Sequence, residues 1–105
     1  MMQEPDATGE GTYEGCGDLA RIFVRVTDGR VAEARFQAYG CGPTIAAASA
    51  ASELVVMRPM EDLPHLKADE VERALDGLPD DRRHAARVVA DAVRAAGRDW
   101  LGRRP

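Results

Sequence analysis

Leu19-Ala20-Arg21-Ile22-Phe23-Val24-Arg25-Val26-Thr27-Asp28-Gly29-Arg30-Val31-Ala32-Glu33-Ala34-Arg35-Phe36-Gln37-Ala38-Tyr39 is the stretch whose reading decides the fold. Residues 19–27 alternate: Leu19, Arg21, Phe23, Arg25 and Thr27 fall on one side, and Ala20, Ile22, Val24 and Val26 on the other. A period of two with one wholly apolar side predicts a half-buried strand. Asp28 and Gly29 follow, a pair that tolerates positive φ, and residues 31–39 resume an extended pattern. The reading is an antiparallel hairpin.

Downstream the period changes. After Gly40-Cys41-Gly42, Pro43 suits a first helical position, and residues 44–57 hold seven alanines or serines ahead of Glu53 and Leu54. This predicts a buried helix that Arg58 and Pro59 break. A compact amphipathic helix is expected over 67–75, closed by Gly77. A last helix is expected over 81–100, with Ala85, Val88, Val89, Ala92 and Ala96 on its apolar face and Arg87 paired to Asp91 on its wet side. Trp100 is expected to staple that helix to the core, and His65, in a Pro-flanked loop, to be exposed. Residues 1–15, rich in Gly, Glu and Thr, show no apolar periodicity and read as a flexible lead-in. The expected organisation is lead-in 1–15, one domain over 16–101 and a frayed tail over 102–105. With a hairpin first and helices after, the fold class is α+β, a small antiparallel sheet covered on one face by helices. Aromatics are few, so truncation of Phe23, Phe36 or Leu54 is expected to be costly.

Composition narrows the function classes. A formal charge of -4 over 105 residues argues against nucleic-acid binding, which needs a basic surface. No long apolar run and no charged segment leading into one supports membrane insertion or secretion, so the expectation is a cytoplasmic protein with no membrane partner. Two cysteines in such a compartment point to metal or sulfur chemistry before a disulfide. Cys16 precedes the first hairpin strand and Cys41 follows the second, so an antiparallel hairpin brings both to one end of the sheet. Cys41 also lies close to a helix start, where the macrodipole favours a thiolate. Glycines at 15, 17, 40 and 42 leave backbone N–H groups open around both sulfurs, and Asp18 adds a carboxylate.

Gly15-Cys16-Gly17-Asp18, Asp28-Gly29, the run from Ala34 to Gly42, Ile45-Ala46-Ala47-Ala48-Ser49, and Leu78-Pro79 ahead of His84 resemble the U-type iron–sulfur scaffold proteins, the IscU and NifU N-terminal domain family. The resemblance covers about residues 15–96. It implies a three-stranded antiparallel sheet with packed helices, and a site of three cysteines plus the aspartate after the first. Sulfide from a cysteine desulfurase and iron would be assembled there and the cluster passed to recipient apo-proteins. Cys16, Asp18 and Cys41 match; Ala85 stands where the third cysteine would follow His84. The basic residue of the chaperone-read Leu-Pro stretch corresponds to Arg82, with two acidic residues between, a poor match.

A two-iron cluster needs four terminal ligands, and histidine can replace cysteine. The expected binding set is therefore Cys16, Asp18, Cys41 and His84, holding a 2Fe-2S cluster or a tetrahedral zinc. Cys41 is the candidate sulfur acceptor. A monomer and a homodimer that pools cysteines around one cluster both remain open. The function read from the sequence is a non-enzymatic scaffold or carrier working with a cysteine desulfurase. Its alternatives are a zinc-holding, non-assembling paralogue that regulates the desulfurase or a true scaffold, and a persulfide relay.

Overall fold

A computed structural model describes residues 5–13, 18–39, 42–74 and 84–103. Its elements run β1 (Ala7–Tyr13), β2 (Asp18–Thr27), β3 (Arg30–Tyr39), α1 (Gly42–Val55), a 3-10 turn (Met60–His65), α2 (Ala68–Ala74) and α3 (His84–Arg103). The three strands form one antiparallel sheet in the order β1-β2-β3.

The hairpin follows the alternation. Ala20, Ile22 and Val24 are buried, and Ile22 pairs with Phe36 and Val24 with Ala34 on the helix-covered face. Asp28 and Gly29 both take positive φ, 55° and 75°, as the turn requires. The register shifts by one residue between Arg25 and Val26, a bulge that leaves Ala32 without an opposite number. The other face is open and carries ion pairs: Arg21 with Glu10 at 2.8 Å and Arg35 with Glu33 at 2.9 Å.

The expected lead-in contains β1, which antiparallel pairing places beside β2 from Ala7↔Val24 to Tyr13↔Asp18. Its inward positions are Ala7, Gly9 and Gly11, all buried. A Cβ on Gly9 would stand 2.1 Å from the Ala92 carbonyl oxygen, and one on Gly11 2.1 Å from that of Val88. The strand is therefore pressed onto the backbone of α3 with no side chain between them. An inward face made of glycine gives no apolar periodicity, so the sequence concealed the strand. At the other terminus, α3 continues through Gly102 to Arg103, into the expected tail.

Helices are close to expectation. α1 ends at Val55, and Met57 takes a positive φ of 74° in the turn that follows. That turn runs back along the start of β3: Met57 N–H donates to the Val31 carbonyl and Val31 N–H to the Arg58 carbonyl, at 2.8 and 2.9 Å. Glu70 on α2 accepts from the Arg58 guanidinium at 3.1 Å and from the Lys67 N–H at 3.1 Å. Those bonds, the Lys67 one above all, hold the Glu70 carboxyl below the usual carboxylate range. On α3, Asp91 pairs with Arg94, whose guanidinium also donates to the Leu66 carbonyl. His65 is exposed, as expected.

The core is built from small and medium side chains. Ile22, Met60, Leu63, Leu66 and several valines are its largest fully buried members, filled in by alanines of α1 and α3. Phe36 and Leu54 pack on it only partly buried, and so does Trp100, which also lines a hollow with Asp28, Gly29 and Pro59 at the hairpin turn. Phe23 is half-buried on the open face, opposite Arg35, so the expected cost of truncating it falls instead on the Ile22 side of the same strand.

Candidate functional site

One end of the sheet gathers the segment ends that carry the chemistry. Tyr13 closes β1 opposite Asp18, which opens β2, and Leu19 next to it pairs with Tyr39, the last residue of β3. α1 begins at Gly42, close behind Tyr39 in the chain. α3 arrives at the same end because it runs antiparallel to β1. Thr8 N–H bonds the Asp99 carboxylate at 2.9 Å, Gly9 abuts Ala92 and Ala96, and Gly11 abuts Val88 and Ala92. Each step toward Tyr13 is thus a step toward His84. The start of α3, the start of α1, the start of β2 and the end of β3 converge.

Of the expected site residues, Cys16 and Cys41 lie outside the described residues, as do Gly15, Gly17, Gly40, Arg82 and the Leu-Pro stretch. Asp18 is described in its backbone, at the head of β2. His84 is the first residue of α3 and is half-buried. Ala85, in the place of a third cysteine, is wholly buried in the core. Among the described residues no cluster of three or more His, Cys, Asp or Glu side chains is poised around a cation. The expected donor set is two thiolates, a carboxylate and an imidazole. These are chemically suited to iron or zinc, and the four positions belong to the converging segments or adjoin them in the chain.

Two features of this end escaped the sequence reading. Thr44, in the first turn of α1, is the one fully buried polar side chain among the described residues. Its place directly after Pro43 is the only signal it gave. Tyr39 and Ile45 flank the same end and remain 58% and 53% exposed, large apolar groups left facing solvent.

The family model for the NifU-like N terminal domain matches residues 1–105. The chain belongs to this family. An iron–sulfur cluster assembly scaffold protein of Archaeoglobus fulgidus, IscU 1, is 38% identical over 98 residues, covering 91% of this chain and 64% of that protein. The chain thus spans somewhat less than two thirds of that relative's length. The scaffold protein IscU of Azotobacter vinelandii is 35% identical over 100 residues, covering 93% of this chain and 77% of that protein. The crystal structure of a NifU-like protein (N-terminal) from Brucella abortus superimposes with a TM-score of 0.73 at 18% identity, over 98% of this chain and 84% of that one. The three-stranded sheet with packed helices is therefore the NifU-like fold. Among the described residues, no helix is long and apolar enough to cross a membrane.

Proposed function

We propose that this member of the NifU-like family is an iron–sulfur assembly scaffold or carrier, not an enzyme, which receives sulfur from the persulfide of a cysteine desulfurase and holds a cluster as cargo. The observation that carries the reading is the convergence of the β2, β3, α1 and α3 ends on one spot, with Cys16, Asp18, Cys41 and His84 at or beside those ends. The cluster is bound by the Cys16 and Cys41 thiolates, with His84 and Asp18 completing four ligands. Two thiolates instead of three leave the cargo less firmly held, since thiolates are the principal ligands of such clusters. Cys41, with the start of α1 close behind it in the chain, is the thiol best placed to carry sulfur. The name of the Azotobacter relative supports assembly; the partners are inferred from the family resemblance.

The test is anaerobic reconstitution of zinc-free protein with ferrous iron and desulfurase-generated sulfide, followed by visible absorption. Charge-transfer bands that disappear in Cys16→Ser and in Cys41→Ser are the expected outcome. Colourless protein that instead takes up added zinc through the same cysteines would replace assembly with the zinc-holding, regulatory alternative. A persulfide on Cys41 without bound iron would indicate the relay.

A further inference from the structure

The outer edge of β3 divides into two parts. Its first residues are covered by the turn after α1, through the Val31 bonds to Met57 and Arg58 and a bridge between Arg30 and Pro59. Beyond the bulge at Ala32, residues 33–39 form the edge of the sheet, with no strand beside them among the described residues. Which backbone groups face outward follows from β2. The Val24 carbonyl accepts from Asp6 N–H and Val26 N–H donates to the Asp6 carboxylate, so these residues face β1. Alternation turns Phe23 and Arg25 toward β3, where Arg35 and Glu33 pair with them. The N–H and C=O groups of Ala34, Phe36 and Ala38 therefore point out of the sheet. This run carries none of the lysines or prolines that usually blunt an edge.

The side chains above the edge are those of the small Ala34 and Ala38 and the larger Phe36. Ala34, Phe36 and Ala38 line a groove of about 450 Å³ with Ile45, Ala48 and Ser49 of α1, and Phe23, Arg35 and Gln37 also line it. Ser52, at the end of that groove, turns its hydroxyl back to the Ser49 carbonyl at 2.7 Å and so presents a satisfied surface.

We propose that this edge pairs with the same edge of a second copy of the chain, about a two-fold axis at Phe36, joining two three-stranded sheets into one of six strands. The free run fits itself. Centred on Phe36, Ala34 lies across from Ala38, Arg35 from Gln37 and Glu33 from Tyr39, so the ladder fills residues 33–39 and stops short of the segment already covered by Met57 and Arg58. A register centred on Ala34 would drive Gln37 into that segment. No like charges stand directly opposite, and each Arg35 arrives already neutralised by its own Glu33 at 2.9 Å. α1 runs back over β3, so the same axis lays the two α1 helices antiparallel, with the exposed Ile45 of each lining the seam. A symmetric interface of this kind needs only one self-complementary patch. It also holds the two candidate sites apart: the Tyr39 ends are about 20 Å from one another at about 3.4 Å per residue, pointing in opposite directions. The dimer does not pool cysteines around a shared cluster.

Sedimentation velocity of the full chain without cargo, over a concentration series reaching about 500 µM, reads the equilibrium directly. The expected result is a reversible dimer that Ile45→Arg loosens at least tenfold. Ala34→Pro, which removes an outward N–H from the edge, is expected to do the same, with far-UV circular dichroism of both variants unchanged. A chain that stays monomeric throughout the series, or a dimer equally tight in both folded variants, overturns the proposal, as does a monomer whose edge takes up only a foreign extended peptide. Cluster binding is not part of the readout, so failure here leaves the scaffold reading standing, and failure of that reading leaves the dimer testable.

Discussion

The two edges of the sheet are managed in opposite ways. β1 is short, its inward positions are glycine and alanine, and α3 is pressed against its backbone, with the Asp99 carboxylate taking the Thr8 N–H. β3 is longer, carries apolar side chains along its inner face, and among the described residues is covered only at its start. The difference teaches that burial of an edge can rest on the absence of side chains as much as on their presence. Glycine lets a helix touch a strand, whereas the alanines and phenylalanine of β3 hold α1 far enough away to leave a groove.

The sharpest way to break this contrast is to put a methyl group where β1 has none. Gly9→Ala should destabilise the fold by about 3 kcal/mol or more in urea unfolding, because the Ala92 carbonyl is backbone and cannot rotate away. A loss under about 1 kcal/mol would mean that β1 and α3 are not in direct contact. A smaller effect is expected from Asp99→Ala, which leaves the part-buried Thr8 N–H without its carboxylate: about 1–2 kcal/mol by the same measurement, with hydrogen exchange of β1 accelerated before that of β3.

The smallest effect concerns the covered part of β3. Glu70 is held below the usual carboxylate range by Lys67 N–H and Arg58, so its folded-state proton affinity is lower than that of the unfolded chain. Its contribution is therefore present above the unfolded carboxylate pKa and is lost as pH falls through the lower folded value. Both side chains are about 30% exposed, which keeps the contribution below about 1 kcal/mol. Glu70→Gln should flatten the acid limb of the stability curve by that amount and leave stability at alkaline pH reduced by a constant offset.

The same contrast explains what was legible. The hairpin announced itself because large apolar and charged residues alternate along it, and α1 and α3 because alanine-rich runs are bounded by Pro and Gly. β1 had none of these signals, since its code is the fit of Gly9 and Gly11 against a helix more than seventy residues away in the chain. Within the candidate site, the meeting of the start of β2 and the end of β3 could be read from the hairpin, and the approach of His84 could not: it depends on the direction of α3 over β1. The pairing expected between Arg87 and Asp91 gave way to Arg94, which reaches both Asp91 and the Leu66 carbonyl and so has more to bind. The weight placed on Phe23 failed because alternation assigns a residue to a face without saying which face the helices cover.

Trp100, the chain's lone tryptophan, sits beside the Asp28 and Gly29 turn, at the far end of the sheet from the converging segment ends. Its indole is a natural fluorophore placed where folding is reported and the candidate site is remote. Shifts in its emission maximum will follow the docking of α3 onto the hairpin, while a change at Cys16 or Cys41 that leaves the fold intact should leave the maximum where it was. Unfolding and loading can thus be read in one sample by emission and absorption, with no label added.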